Sequence, residues 1–377
     1  MKFRRRAVSK FLSILVTIAP FIFLFISFFI IWLIASPKPA KVSYIPQTSE
    51  LHERQEPNLS FYKKLHYSEL MGLYSNKKVN LAETEHKESR EEPIVKVWLQ
   101  EQEKVEEVSL EQYVLAVALK ELPLSFHKEA IKAQMLSIRT YIYRRFMQTT
   151  EEDIYHITNT TQHQVYKPLS EVQQLLNNEQ YTKQMQKFLD ALEETKGMII
   201  TYEKEPIDAL FFSTSNGYTV DAQQYFGQEV PYLQSVPSQW DAEVSPYYKH
   251  EKLFTFEQVY TALQDYGVEN IKTSSNFSLL TGNISEAKRL LTLQLNGQTI
   301  TGRQLREALG LSSTDITWSI NQKEEEVTFY TTGYGHGVGL SQWGAEGMAR
   351  AGYTAKEIIF HYYTNVQLQH YDKLVMN

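Results

Sequence analysis

The chain is expected to fold as α+β, with mixed helices and antiparallel strands. Three observations point there. Strand-like and helix-like stretches alternate irregularly, without the β-α-β rhythm of a doubly wound sheet. Asn296-Gly297, between 290–295 and 299–301, is a strong two-residue hairpin signal. Capping-box patterns mark helix starts at Ser109-Leu110-Glu111-Gln112 and Thr354-Ala355-Lys356-Glu357.

The elements follow in order. Residues 94–99 alternate as a strand does. The helix that starts at Ser109 runs to about Lys120, and Pro123 prevents its simple continuation. A second helix spans about Phe126 to Phe146, with Ile131, Met135, Ile138 and Ile142 on one face. Glu121 therefore falls at the bend between two helices. A looser segment covers 150–180. The next helix, 180–195, is closed by Gly197. Residues 198–202 and 207–213 read as two strands around Glu203-Lys204-Glu205-Pro206. Thr354 opens the last helix.

The N-terminus bounds the location. Residues 11–35 carry no charge and are almost all apolar. About 20 such residues span a bilayer core, and Pro20 is tolerated in a membrane helix. A cleaved signal peptide is the alternative, but its apolar region is typically only about 7–15 residues. Lys2, Arg4, Arg5, Arg6 and Lys10 precede the run and place that end in the cytoplasm. The expected organisation is a basic cytoplasmic tail (1–10), a single-pass transmembrane anchor (11–35), a stalk or partner-docking segment (36–93) and an extracytoplasmic domain (94–377). Four prolines break the stalk early, charges of both signs crowd it later, and 61–74 has a helical pattern.

The whole chain has net charge −6, and removing the five basic residues of the tail leaves the remainder near −11. A net acidic domain is a poor binder of nucleic acid or anionic lipid by bulk charge. Recognition of an anionic cell wall would need a shaped cleft. There is no cysteine, so disulfides and thiolate metal sites are excluded.

Six of the 16 glycines lie between 333 and 347, in Gly333-Tyr334-Gly335-His336-Gly337-Val338-Gly339-Leu340-Ser341-Gln342-Trp343-Gly344-Ala345 and just beyond. Such clustering marks backbone shapes that other residues cannot take. No Lys-Ser/Thr pair follows, which argues against a phosphate loop. Three further blocks stand out. One runs from Ser109 to Arg145 and contains Tyr113, Glu121, Pro123, Lys132, Gln134, Arg139 and Tyr141. Another is Thr160-Thr161-Gln162-His163-Gln164-Val165-Tyr166. The third is Phe211-Phe212-Ser213-Thr214-Ser215-Asn216-Gly217, continuing through Tyr225 to Pro231-Tyr232-Leu233-Gln234-Ser235-Val236.

Together the four blocks resemble the stage II sporulation protein D family, and its glycine-rich block also resembles amidase-enhancer proteins. The resemblance covers most of 94–366. It implies a lytic transglycosylase that cuts peptidoglycan strands lacking stem peptides during forespore engulfment. It also implies work beside a sporulation cell-wall amidase and a polytopic membrane protein. The family's catalytic Glu maps onto Glu121. On local sequence alone, a Glu at a helix end reads as a surface residue. Its neighbours Leu119, Leu122, Pro123 and Leu124 suit a raised carboxyl pKa.

A stem-peptide-free muramic acid exposes a lactyl carboxylate, which a guanidinium grips by two bonds, so Arg139 is a candidate contact. Gln164, Tyr166, Thr214, Ser215, Tyr225, Tyr232, His336, Ser341 and Gln342 are further substrate-binding candidates. Some relatives carry a zinc-binding Cys-x-x-x-His-Cys arrangement. Here the corresponding residues are Thr158, Gln162 and His163, which cannot make a typical tetrahedral site. No metal and no cofactor are expected. A non-catalytic glycan-binding activator of a peptidoglycan amidase is the alternative function.

Overall fold

The computed structural model describes residues 92–150, 153–160, 163–268 and 277–374. The basic tail, the expected anchor at 11–35 and the stalk up to residue 91 lie outside them, as does Gln162. Among the described residues no helix is long and apolar enough to cross a membrane.

The chain opens with strands β1 (Ile94–Leu99) and β2 (Lys104–Ser109), then helices α1 (Leu110–Glu121) and α2 (Lys128–Phe146). Short β3 (Ile157–Thr158) leads to α3 (Leu169–Leu176) and α4 (Thr182–Glu194). There follow β4 (Met198–Tyr202), β5 (Glu205–Pro206), β6 (Phe211–Phe212), α5 (Ala222–Phe226) and α6 (Asp241–Val244). The next stretch holds β7 (Lys249–Thr255), α7 (Phe256–Leu263), β8 (Leu279–Thr281), β9 (Thr292–Leu295), β10 (Gln298–Thr301), α8 (Gly302–Leu309), β11 (Ile316–Asn321) and β12 (Glu326–Thr332). The chain closes with β13 (Leu340–Ser341), α9 (Gln342–Arg350), α10 (Ala355–Tyr362) and β14 (Gln367–His370). The fold is α+β.

The predicted start signals work as expected. Ser109 and Thr354 each form both bonds of a capping box, at α1 and α10. Thr255 and Thr301 form two more, at α7 and α8. Asn296 and Gly297 both take positive φ, 48° and 84°, as a type I′ hairpin turn requires. They join β9 and β10 in antiparallel register. One strand expectation needs correction. Of the segment 207–213 only Ile207 bonds back to 198–202, its N–H donating to the Ile200 carbonyl at 3.1 Å. The chain turns at Glu203 and Lys204, both at positive φ, and only β5 pairs back onto β4. Within 207–213 only β6 is a strand, and it pairs in parallel with β13. The other partner of β4 is β14.

Two separate hydrophobic clusters form within 94–374. The larger gathers α1, α2, α4, α9, α10, β1 and β4. The smaller lies between Phe256 and Phe329, around α7, α8 and the sheets β10-β9-β8 and β11-β12-β7. α2 is the axis of the larger one, touched by α1, α4, β4, α9 and α10. It is buried well beyond the single apolar face that its periodicity predicts, and Gln134, Ser137, Arg139 and Thr140 all lie inside.

Arg139 therefore cannot grip a glycan. It is fully buried (0% exposed). Its guanidinium pairs with Glu111 of α1 through Nε–Oε1 at 2.8 Å and Nη2–Oε2 at 2.5 Å. Nη1 donates to the Met198 carbonyl, and Glu111 Oε1 also accepts from Gly197 N–H. The pair ties α1, α2 and the start of β4 together. A solitary charge inside a core is costly, whereas a satisfied bidentate pair is tolerated.

Arg139→Met should therefore destabilise the fold by about 3–5 kcal/mol, because it strands the Glu111 carboxylate. The double variant Glu111→Leu with Arg139→Met should regain most of that loss. Urea denaturation of the three proteins checks both expectations.

Candidate active site

Glu121 is the last residue of α1. Leu122 must leave the helix because Pro123 follows it, and its extended conformation (φ −108°, ψ 142°) turns the chain away. Leu119, Leu122 and Phe126 are buried around the bend. The edge of Trp343 packs on Phe126 with centroids 4.8 Å apart. Glu121 is thus largely enclosed by apolar groups, and this burial raises its carboxyl pKa. Two hydrogen bonds pull the other way. Gln342 Nε2 donates to Oε2 at 3.1 Å, and the Val165 backbone N–H also donates to the carboxyl group.

Each donor is held from behind. Gln342 opens α9, and Ser341 caps that helix by accepting from Gly344 N–H. Ser341 Oγ donates to Asp241 Oδ1 at 2.5 Å. Asp241 is fully buried and accepts three further bonds, from Ser215 N, Ser215 Oγ and Ser238 Oγ. Gly344 passes so close to this group that a Cβ there would lie 2.6 Å from Ser238 Oγ and 2.7 Å from Asp241 Oδ2. Upstream, Gly339 has φ +80°, and a Cβ would strike the Leu210 carbonyl.

Side-chain contact holds the segment before Val165. Thr158 Oγ1 and His163 Nδ1 are hydrogen-bonded at 2.8 Å. Among the described residues no three His, Asp or Glu side chains converge to hold an ion. Gln164 accepts from the Tyr113 hydroxyl at 2.9 Å, while its Nε2 is buried with no partner. Tyr113 lies close enough to Glu121 for the carboxylate to help raise the phenol pKa, after burial itself. Glu121, Gln342 and the segment with Gln164 thus come together.

The remaining predicted contacts do not join them. Tyr166 is buried, stacked on Tyr113, and its hydroxyl donates to Glu106 at 2.6 Å. Thr214 and Ser215 are buried, Thr214 against Ser245 and Ser215 on Asp241. Ser341 is likewise consumed by Asp241. The Tyr232 hydroxyl accepts from Asp208 N–H, which fastens its loop. Tyr225 accepts from Arg306 and lies under Arg303. These residues shape the scaffold rather than offering free polar groups.

His336 is also corrected from a substrate contact to a backbone clamp. Its Nε2–H donates to the Phe211 carbonyl at 3.0 Å, and Nδ1 accepts from Val338 N–H at 3.0 Å. That pattern fixes a neutral ring. Burial, assisted by Arg306, Arg289 and Arg303, lowers its pKa to about 4. Arg289 is itself buried with no hydrogen-bond partner on its guanidinium, and its pKa falls to about 10.

Sequence reasoning passed over Asp241, Gln342's support. Ser-Gln-Trp-Asp carries no distinguishing signal, since apart from Ser238 its partners arrive from positions 215 and 341.

Comparison with known proteins gives the family. Residues 99–202 match the family described as stage II sporulation protein. The chain is 40% identical over 271 residues to stage II sporulation protein D of Bacillus subtilis (strain 168), covering 71% of this chain and 76% of that one. It is 36% identical over 290 residues to the protein of that name from Bacillus amyloliquefaciens, covering 76% and 82%. A more distant likeness, 23% over 298 residues, is to the amidase enhancer of Bacillus subtilis, of which it covers 39%. The chain belongs to the stage II sporulation protein D family.

The clamp makes a pH prediction. An ordinary His titrates near 6.5, so below that pH the unfolded chain binds a proton that folded His336 refuses. Stability contributed by the neutral ring is present above pH 6.5 and lost as pH falls to about 4. The loss is roughly 3 kcal/mol by linkage. Urea denaturation should show wild type losing that much more than His336→Gln between pH 7 and pH 4.

Proposed function

We propose that the protein is a lytic transglycosylase of sporulation. It would cleave the bond between N-acetylmuramate and N-acetylglucosamine in peptide-free peptidoglycan strands during forespore engulfment, leaving 1,6-anhydro-muramyl ends. The observation that carries this reading is Glu121 itself. Its carboxyl is shielded by apolar groups and has a raised pKa, yet it is held by two donors, Gln342 and Val165.

Such a group can serve twice. Protonated, it gives its proton to the glycosidic oxygen as the C1–O bond breaks. The carboxylate then accepts the proton of the muramyl 6-hydroxyl as that oxygen bonds to C1. No water enters, so one carboxyl suffices, unlike the pair needed by most glycosidases. Burial favours the acid form before the first step, and the two donors stabilise the carboxylate between the steps. Gln164 Nε2, buried and without a partner, is a candidate donor to substrate beside them.

The long apolar run at 11–35 supports a single-pass anchor in the cell membrane, with a cytoplasmic N-terminus and the described domain outside. The proposed partners are the glycan strand, a sporulation cell-wall amidase and a polytopic membrane protein. A second reading, a non-catalytic glycan-binding activator of an amidase, draws on the likeness to the amidase enhancer.

Glu121→Gln separates the two. Loss of general acid–base work costs about 10²–10⁴-fold, so release of anhydro-muramyl ends should nearly vanish while glycan binding persists. The variant should melt at or above the wild-type temperature, because it removes a buried ionisable group. In the wild type, release should fall as pH rises through the raised pKa, since the starting form must carry the proton. Mass spectrometry of digests of peptide-free strands gives the result. Near-normal release by Glu121→Gln would place the acid elsewhere.

A further inference from the structure

The outer face of the sheet β11-β12-β7 is left uncovered. Its inner face packs Val327 and Phe329 into the smaller hydrophobic cluster. Tyr330 points outward, opposite Thr317 on β11 and Glu251 on β7. Together with Lys249, His250 and Thr332 these residues line a cavity of about 460 Å³. Among the described residues no carboxylate is paired with the Lys249 ammonium.

A row of rings connects this cavity to the catalytic carboxyl. Trp343 follows Gln342 directly in the chain. Tyr247 meets the indole edge with centroids 6.3 Å apart. Tyr247 then neighbours Tyr334 at 6.0 Å and stacks on His250 at 6.3 Å. His250 is part of the cavity wall. Tyr247, Tyr330 and Tyr334 are each more than 40% exposed. Large rings standing in water beside a reactive group are not needed for the core, and they mark a contact surface.

We propose that this row and cavity form an extended subsite for the same glycan strand, several sugars away from the bond that breaks. The inference rests on the glycan reading above. Three features favour a glycan as occupant. Threonines lie beside the rings, Thr317 opposite Tyr330 and Thr332 in the cavity wall, which matches a pyranose with apolar C–H faces and polar edges. The exposed rings approach the catalytic pair, because Tyr247 meets buried Trp343, the residue after Gln342, so a polymer held at one end reaches the other. The cavity presents the Lys249 ammonium, unpaired among the described residues though Glu251 shares the wall, and this ammonium complements the lactyl carboxylate of peptide-free muramic acid. Lys249 thereby takes the selective role that buried Arg139 cannot perform.

The test uses the full-length protein carrying Glu121→Gln, so that bound strands are not cut. The probes are long peptide-free strands, the same strands with their lactyl carboxylates converted to methylamides, and a tetrasaccharide. Tyr330→Ala and Lys249→Gln should each weaken long-strand binding about fivefold or more, in the range expected for one ring contact or one charge pair. Tyr330→Phe should retain it. Tetrasaccharide binding and the denaturation midpoint should not change. Lys249→Gln should also erase any preference for free carboxylates over methylamides. Unchanged long-strand binding in both Tyr330→Ala and Lys249→Gln would overturn the subsite, as would equal losses for long and short probes. Failure of the unsubstituted sheet face to bind any strand would instead sink the glycan reading itself.

Discussion

The arrangement around Glu121 depends on one buried anion, Asp241. A carboxylate without water must have its lone pairs filled, and here Ser215, Ser238 and Ser341 fill them. Ser238 lies three residues before Asp241, while Ser215 and Ser341 arrive from distant parts of the chain. Satisfying Asp241 therefore fixes where the glycine-rich loop ends and where α9 begins. The first side chain of α9 is Gln342, so the donor to Glu121 is aimed by a requirement that lies behind it. Tyr362 extends the same group through Ser238, which couples α10 to it.

Three acids near this core, Glu111 and Asp241 buried and Glu121 half-buried, do different work because they have different company. Glu111 has a bidentate guanidinium and a backbone N–H. Asp241 has four donors. Glu121 has two donors, apolar walls and no cation bonded to it among the described residues. The first two are fully satisfied and structural. Burial raises the carboxyl pKa of both Asp241 and Glu121, but Glu121 has only two donors beside it, a setting suited to acid–base chemistry. Glu346 follows the structural pattern: though buried, it accepts from His127 N–H at the start of α2 and from Arg350.

Local signals in the sequence were legible wherever local chemistry determines the outcome. The serine and threonine caps, the Asn-Gly turn and the break before Pro123 all act within a few residues. The glycine-rich block was legible as special backbone, and its contacts with Leu210 and the Asp241 group supply the reason. What was not legible came from distant pairing. The pattern of α2 shows its apolar face but not that Arg139 meets Glu111 across a helix pair. A motif histidine looks like a ligand until both ring nitrogens are seen on backbone groups. The parallel union of β6 with β13 has no signature in either dipeptide, and neither does the register of β7 on β12.

Glu121 and Gln342 are 221 positions apart in the chain. The smaller hydrophobic cluster is built almost wholly from residues between them. Contacts of such long range form late, because a large loop must close before they are rewarded. A chain still being synthesised, or cut anywhere between Glu121 and Gln342, therefore holds the acid without the amide that orients it. Chain order thus sets timing: the Glu121 carboxyl meets its Gln342 amide last.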